Sequence, residues 1–184
     1  MKKLFFIPAA AAMMFLASCG GGNADKTTTT DATTTETPAT EAPAVEAPGS
    51  DIPGIKDVAV SDNIELQGSD DMKFDKTLFK VKAGQDVKLT LKNVGKLPKE
   101  AMAHNVVILQ QGTDVQAFGE AAVSAKATDH IPAAMATDVI AHTKLLGPGE
   151  SATITFKVPD AGVYDFICSF PGHFGTMRGK IVAE

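Results

Sequence analysis

The amino-acid sequence predicts an all-β domain, a sandwich or barrel of the Greek-key type with about eight short strands and a short helical insertion. Apolar and polar residues alternate with a period of two at residues 87–92 and again at 153–158, which is typical of half-buried strands. Turn-forming residues such as Gly147-Pro148-Gly149 separate the alternating runs. Short strands with this punctuation favour antiparallel pairing in a sandwich or a barrel.

The remaining elements follow in chain order. Further strands are expected at residues 63–68, 73–82, 104–110, 139–145, 163–169 and 179–183. Residues 113–136 differ, because their apolar side chains recur at helical spacing and alternate little. They predict a helical insertion between the strand that begins at His104 and the strand that contains His142.

The first 18 residues have the pattern of a secretory signal peptide. Two lysines precede an apolar run, residues 4–17, that is too short to span a bilayer. The run ends in Leu16-Ala17-Ser18-Cys19, which resembles the processing site of bacterial lipoproteins. We therefore expect a signal peptide at residues 1–18 and a lipidated Cys19 that anchors the protein to a membrane of the bacterial cell envelope. The alternative is an ordinary signal peptide followed by an unrelated cysteine.

Residues 19–57 are predicted to form a disordered tether. They are rich in Thr, Ala, Pro and Glu and offer little apolar surface to offset the entropy lost on folding. A flexible chain of this length spans roughly 30–40 Å on average, which would hold the next domain clear of the membrane, in the periplasm or at the cell surface. Residues 58–184 are then expected to form one domain. The net charge of −5 argues against a nucleic-acid partner.

Cys168 opens the most informative motif, Cys168-Ser-Phe-Pro-Gly-His173-Phe-Gly-Thr-Met177. The only other cysteine is Cys19, and its lipidation would leave Cys168 as a lone thiol in an oxidising compartment. Metal coordination would protect such a thiol, so we favour it over a disulfide between the two cysteines. Thiolate, imidazole and thioether donors together are typical of an electron-transfer copper site, which uses two histidines, one cysteine and a weak axial methionine.

The second imidazole has to come from elsewhere in the chain. Among the four histidines, His104 precedes a run of apolar residues, 106–109, and is the preferred candidate. A histidine beside an apolar run is more often structural than metal-binding, and only the Cys168 motif favours a ligand role here. His130 and His142 are expected to be solvated side chains.

Three separated motifs resemble azurin, a blue copper protein of the cupredoxin family. They are residues 97–105, 139–150 and 168–173, and the helical insertion lies between the first two. The resemblance extends over about residues 64–182, nearly the whole predicted domain. It implies a cupredoxin sandwich around one copper ion that cycles between Cu(I) and Cu(II).

The resemblance also assigns roles to individual residues. The implied copper ligands are His104, Cys168, His173, Met177 and, as a second and longer axial contact, the backbone carbonyl of Ala103. Asn105 is implied to brace the copper-binding loop, and the backbone amide of Phe170 is implied to donate to the copper-bound sulfur. Hydrogen bonds of this kind tune the reduction potential of a metal site.

An apolar patch around His173 is implied as the surface on which redox partners dock. Its residues are Met72, Leu97, Ala101, Met102, Phe170 and Pro171. The expected partners are redox proteins such as a cytochrome or a copper- or haem-containing reductase or oxidase. Asn93 stands where many azurins have a histidine, so pH-linked behaviour attributed to that histidine is expected to be absent.

Three functions are compatible with these residues. We favour one-electron transfer by a protein that is not an enzyme. The first alternative is a copper carrier or buffer that uses the same ligands but exchanges its ion, although the exposed Met-rich or His-rich clusters typical of such proteins are missing. The second alternative is an enzyme in which Cys168 is a nucleophile and His173 its base, a chemistry that gives Met177 no role.

Overall fold

Nine strands account for most of the regular structure in a computed structural model that describes residues 46–184. The strands are β1 (Asn63–Ser69), β2 (Lys73–Phe74), β3 (Leu78–Val81), β4 (Asp86–Asn93), β5 (Val107–Leu109), β6 (Val139–His142), β7 (Ser151–Lys157), β8 (Gly162–Ile167) and β9 (Arg178–Ala183). They form a four-stranded sheet in the order β2-β1-β4-β7 and a five-stranded sheet in the order β3-β9-β8-β5-β6. The predicted all-β sandwich is confirmed, and the sheets do not close into a barrel.

Strand pairing is mixed, whereas the sequence favoured antiparallel pairing. β1 pairs parallel with β4, and β3 pairs parallel with β9, whereas the other pairs are antiparallel. β1 and β4 are not consecutive, because the chain first forms β2 and then crosses to β3 in the other sheet before it returns. Parallel neighbours need such a longer connection, which no period-two pattern in the sequence reveals.

The single strand expected at residues 73–82 is divided between the two sheets. β2 belongs to the first sheet and β3 to the second. Between them, Oδ1 of Asp75 accepts a hydrogen bond from the backbone N–H of Gln67 at 2.7 Å, and the Asp75 N–H donates to the Gln67 carbonyl at 3.0 Å. The side chain therefore takes up a strand donor and lets the chain leave the first sheet.

The main core lies between the sheets and is made by the inward faces of both. Phe166 on β8 packs against Phe74 on β2 and Phe79 on β3, with ring centroids 5.5 and 5.6 Å apart. Leu89 and Leu91 on β4 are fully buried. Each such side chain contributes about 1.5–3 kcal/mol through removal of its surface from water.

A second, smaller core covers the outer face of the five-stranded sheet. All three residues of β5 are buried, and Val107 and Leu109 pack with Phe118, Ile131 and Ile167. This burial on both faces explains why the run at 106–109 is continuously apolar instead of alternating.

The helical insertion is confirmed but is less regular than expected. It contains one helix, α2 (Val115–Ala122), and two short 3-10 turns at Lys126–Thr128 and Ala133–Asp138, and it follows a first short helix, α1 (Lys99–Met102). Oδ1 of Asp114 caps α2 by accepting hydrogen bonds from the backbone N–H groups of Gln116 and Ala117. The segment stays in place because its apolar side chains cover the second core.

Packing against the sandwich begins before residue 58, the predicted start of the domain. Ile55 is only 5% exposed, and it lies in a 3-10 turn at Ile55–Asp57. A Cβ at Gly49 would lie 3.1 Å from side-chain carbons of Val163 and Val182. Residues 49–57 are therefore packed rather than disordered, because Ile52 and Ile55 give this part of the predicted tether an apolar surface to bury.

The predicted signal peptide, the lipidation site Cys19 and the first part of the tether lie outside the described residues. Within residues 46–184, none of the helices has the length and apolar character needed to cross a membrane. The domain boundaries given by the sequence otherwise stay predictions.

Candidate metal centre

Three metal-binding side chains converge at one end of the sandwich. His104 precedes β5 and is held by two backbone hydrogen bonds with Leu146. The His104 N–H donates to the Leu146 carbonyl at 3.1 Å, and the Leu146 N–H donates to the His104 carbonyl at 2.7 Å. Cys168 follows β8, and His173 lies in the loop between β8 and β9. The donor atoms of His104, Cys168 and His173 all lie within 4.8 Å of one another, and all three residues are buried. We call residues 168–177 the ligand loop.

The separations between the donor atoms fit one small metal ion. Sγ of Cys168 lies 3.5 Å from Nδ1 of His173 and 4.0 Å from Nδ1 of His104. Metal bonds of the length found at zinc sites, roughly 2.0–2.3 Å, would place nitrogen and sulfur ligands roughly 3.6–3.8 Å apart in a trigonal plane. One thiolate and two imidazoles are the donor set that blue copper sites use. The residues present therefore fit copper.

Backbone hydrogen bonds close the ligand loop tightly. The Cys168 N–H donates to the Met177 carbonyl at 2.9 Å, and the Met177 N–H donates to the His173 carbonyl at 2.8 Å. The His173 N–H donates to the Phe170 carbonyl at 3.0 Å. Gly172 adopts φ +84°, a left-handed conformation that glycine takes at little cost. The donors are thus held by local structure whose closure costs little entropy.

Met177 and Ala103, the two expected axial ligands, are both fully buried beside this cluster. Gly68 on β1 makes room for the methionine, since a Cβ there would lie 2.7 Å from Cε of Met177 and 3.1 Å from Cδ2 of His104. Gly68 was not predicted from the sequence, although a glycine inside an alternating strand is a known sign of close approach. Axial contacts from Met177 and from the Ala103 carbonyl stay predictions.

The Cys168 thiol is strongly affected by its surroundings. Burial raises the pKa of Cys168 to about 12, while the backbone N–H groups of Asn105 and Phe170 act in the opposite direction. The metal-free protein therefore holds a protonated thiol at neutral pH. A metal ion that binds there has to displace the proton, after which the same two N–H groups stabilise the thiolate.

Both histidines are poised to be neutral ligands. Burial, followed by the charge of His104, lowers the pKa of His173 to about 4. Burial also lowers the pKa of His104, although the backbone of Ser69 and the charge of Asp70 partly oppose it. Nε2 of His104 has no hydrogen-bond partner of good geometry among residues 46–184, so the Ser69 backbone is near it without bonding well. Neutral imidazole is the form that binds a metal.

Asn105 connects the segment before β5, which carries His104, to the ligand loop. Its Oδ1 accepts a hydrogen bond from the Ser169 N–H at 2.9 Å, and its Nδ2 donates to the Ser169 hydroxyl at 2.8 Å and to the Asp129 carbonyl at 3.2 Å. Asn93 bonds to the residue that pairs with His104, since its Nδ2 donates to the Leu146 carbonyl at 3.0 Å. Both side chains are buried, so these bonds stabilise polar groups that would otherwise be costly.

The residues of the expected docking patch reach the surface to different degrees. Met72 and Leu97 are 38% and 44% exposed, and Ala101 is also exposed, whereas Met102, Phe170 and Pro171 are half-buried. The Thr176 hydroxyl donates to the Met72 carbonyl at 3.2 Å, which places Met72 beside the ligand loop. His173 itself is only 2% exposed, so these neighbours cover nearly all of its side chain.

The two remaining histidines differ from each other. His142 is exposed, as expected. His130 is 5% exposed, so the expectation that it is solvated was wrong. Its Nδ1 lies 2.7 Å from the Ala122 carbonyl, and its ring packs edge-on against Phe170 with centroids 5.6 Å apart. A histidine inside an irregular insertion gives no sequence signal of such burial.

A family profile described as copper binding proteins of the plastocyanin/azurin family matches residues 60–184. The chain belongs to this family. It is 38% identical to azurin of Bordetella pertussis over 128 residues, which cover 67% of the chain and 85% of that protein. It is also 39% identical to outer membrane protein H.8 of Neisseria meningitidis over 120 residues, which cover 63% of the chain and 64% of that protein.

Solved structures of the family share the fold. Reduced auracyanin of Roseiflexus castenholzii superposes with a TM-score of 0.62 at 38% identity and covers 68% of this chain and 99% of its own. Auracyanin A of Chloroflexus aurantiacus superposes with a TM-score of 0.59 at 32% identity. Family membership and the converging histidine and cysteine donors together make this a cupredoxin and a blue copper protein with a single copper ion.

Proposed function

We propose that the protein is a one-electron carrier and that it turns over no substrate. The observation that carries the proposal is the buried convergence of the Nδ1 atoms of His104 and His173 with Sγ of Cys168. Copper bound to one thiolate and two imidazoles supplies a one-electron couple between Cu(I) and Cu(II). The ligand loop keeps the donors in nearly one arrangement, which limits the rearrangement that would slow electron transfer.

The surroundings of Cys168 favour this role over the two alternatives. The thiol is fully buried and has a pKa of about 12, whereas a catalytic nucleophile needs an accessible and activated thiol. A copper carrier has to release its ion to a partner, and ligands that are at most 2% exposed offer a partner little access. We therefore rank both alternatives below electron transfer.

Electrons are proposed to enter and leave through the patch around His173, which consists of Met72, Leu97, Ala101, Met102, Phe170 and Pro171. Its most exposed members are apolar, and an uncharged surface beside a redox site suits brief encounters with other redox proteins. A cytochrome, or a copper- or haem-containing reductase or oxidase, is the class of partner proposed.

We further propose that lipidated Cys19 anchors the protein in the bacterial cell envelope, with the copper domain in the periplasm or at the cell surface. A relative, H.8, is named an outer membrane protein. The packed segment at residues 49–57 contacts Val163 and Val182, near the beginning of β8 and the end of β9. Cys168 lies at the other end of β8, roughly 16 Å away at the usual rise of a strand. The copper site is thus at the end of the sandwich farther from residues 49–57.

Electron self-exchange between two copies tests the transfer role and the patch together. We expect reversible voltammetry of the copper-loaded protein and measurable self-exchange by NMR line broadening in partly oxidised samples. Leu97→Glu places a charge in the patch and should slow self-exchange at least tenfold. Val60→Glu is the matched control, because Val60 is similarly exposed at 41% but lies outside the patch. Irreversible voltammetry, or rapid loss of copper to a Cu(I) chelator, would favour the carrier instead.

The anchor is tested separately. The protein isolated from its bacterial membranes should partition into detergent and carry a lipid on Cys19, whereas Cys19→Ser should be released into the aqueous fraction. An unlipidated wild-type protein in the aqueous fraction would overturn the anchor and leave the electron-transfer proposal untouched.

A further inference from the structure

The insertion between β5 and β6 touches the ligand loop at two places. The first contact is between Gly119, in the middle of α2, and the ring of Phe174. A Cβ built at Gly119 would overlap the ring carbons of Phe174, although the backbone of Gly119 is ordinary helix. A buried glycine at such a position lowers helix propensity. Its presence is explained by the space that the Phe174 ring occupies.

The second contact is between His130 and Phe170. His130 is fixed from behind by the 2.7 Å contact of Nδ1 with the Ala122 carbonyl, and its ring stands at 71° to the Phe170 ring. Asp129 and His130 both adopt left-handed backbone conformations, with φ of +52° and +62°. Two such residues in succession are unfavourable for side chains other than glycine and persist only where neighbouring structure holds them.

The strained turn is held by the copper end of the molecule. Nδ2 of Asn105 donates to the Asp129 carbonyl, and the same side chain bonds to Ser169 of the ligand loop. One asparagine therefore connects the insertion and the loop. The His130 contact with Phe170 adds a second connection on the same side.

The two aromatic residues held by the insertion lie on either side of His173 in the ligand loop. The Phe170 ring lies against the His173 ring, with centroids 4.9 Å apart, and its carbonyl accepts the His173 N–H. The Phe170 N–H also acts on the Cys168 thiol. Phe174 directly follows His173, and it packs into the second core.

We propose that the insertion clamps the ligand loop, and that Gly119 and His130 are positioning residues for the copper site. Gly119 receives Phe174 and His130 supports Phe170, and together they fix the His173 ring relative to the Cys168 sulfur. The proposal rests on His173 being a copper ligand, but its first test uses the metal-free protein. It gives the insertion a role in tuning the site that its sequence did not suggest.

Two variants loosen the clamp at independent points. Gly119→Ala places a methyl group where the Phe174 ring lies and therefore displaces that ring. His130→Asn removes the ring that supports Phe170, while asparagine still tolerates the left-handed backbone. Glu120→Ala is the control, because Glu120 is an exposed residue of the same helix and directly follows Gly119.

The first readout is hydrogen exchange of the His173 and Met177 backbone amides in the metal-free full chain. We expect both to exchange at least tenfold faster in Gly119→Ala and in His130→Asn. Both amides in Glu120→Ala, and the Leu89 amide of β4 in every variant, should keep wild-type rates. The second readout is the reduction potential and the copper hyperfine splitting of the loaded protein, which should move in both variants and stay fixed in the control.

Wild-type exchange rates in either folded variant would overturn the clamp at that contact. Faster exchange with an unchanged potential and hyperfine splitting would overturn the link between the insertion and the copper site. If one variant fails to fold, the other decides. The exchange result does not involve copper, so the clamp can fail or survive independently of the electron-transfer proposal.

Discussion

The end of the sandwich that holds the ligand loop and the end that receives residues 49–57 bury very different groups. All the buried asparagine, histidine, serine and threonine side chains of residues 46–184 belong to the copper end or are bonded to segments that form it; they are Asn93, His104, Asn105, His130, Thr143, Ser169 and His173. The opposite end is filled by aliphatic side chains such as Val81, Val158 and Ile181, all fully buried.

This contrast separates stability from function. Burying a polar group lowers the stability of a fold unless the group is hydrogen-bonded. The copper end nevertheless contains several such groups, and they hold the metal donors in place. The aliphatic end stabilises the fold by burying apolar surface and supplies none of the converging donor atoms. Changes at one end should therefore alter stability alone, whereas changes at the other should alter the metal site.

The largest effect is expected from the aliphatic end. Ile181→Ala should lower the free energy of unfolding by about 2–5 kcal/mol, because it leaves a cavity in a fully buried site. Urea unfolding of the metal-free protein measures this loss. Lys88→Ala, at an exposed position of β4, should change it by less than about 0.5 kcal/mol. A folded Ile181→Ala protein with an altered copper spectrum would show that the two ends are not independent.

The next largest effect is a loss of stability of the metal-free protein at acidic pH, which arises at the copper end. The folded state binds the His173 proton with a pKa of about 4, whereas an unfolded histidine has a pKa of about 6.5. The unfolded state therefore binds more protons between these values, and the free energy of unfolding should fall as the pH falls from about 6.5 to about 4, by up to about 3 kcal/mol.

Urea midpoints at several pH values check this prediction. His173→Gln should remove a large part of the loss, and the part that remains should come from His104, whose pKa is also lowered. Stability of the metal-free wild type that rises towards pH 4 would contradict the burial of neutral histidines.

Asn105→Ala should affect both properties at once. It leaves the Ser169 N–H and hydroxyl without their buried partner, which should cost about 1–3 kcal/mol, and it should shift the reduction potential because Cys168 is next to Ser169. Asn63→Ala, at an exposed asparagine of β1, is the control for both measurements. Loss of stability with an unchanged potential would mean that Asn105 supports the fold and not the copper site.

The smallest effect tests whether residues 49–57 are packed. Gly49 and Gly84 both adopt left-handed backbones, with φ of +69° and +71°, but only Gly49 has neighbours near an added Cβ. Gly84→Ala should cost about 1 kcal/mol from backbone strain alone, and Gly49→Ala about 1–2 kcal/mol, since crowding is added. If urea unfolding gave the same loss of unfolding free energy for both variants, residues 49–57 would not pack on β8 and β9.

Much of the copper site could be predicted because its signals are local. Cys168, His173 and Met177 lie within ten residues, and the chemistry of their donors points to one metal. His104 was preferred only because the Cys168 motif lacked a second imidazole, since a histidine before an apolar run has many uses, and the role of Asn105 needed the resemblance to azurin. Gly68 was missed because its importance depends on a methionine that is over one hundred residues away in the chain.

The parts that could not be predicted depend on long-range packing. The period of two predicted the strands but not the parallel pairs β1/β4 and β3/β9, because alternation is the same in both pairings. His130 was expected in solvent because nothing nearby in the sequence shows that Phe170 and the Ala122 carbonyl enclose it. Residues 49–57 were expected in the tether because their composition resembles it, and only two isoleucines distinguish them.

The optical and electron spin resonance spectra of the copper-loaded protein test the central claim most directly, because the colour of a blue copper site arises from its thiolate bond. We predict an intense blue Cu(II) form with a narrow copper hyperfine splitting, a colourless form after reduction, and loss of the blue colour in Cys168→Ser. A copper-loaded wild-type protein without that colour, or a Cys168→Ser protein that stays blue, would contradict the account.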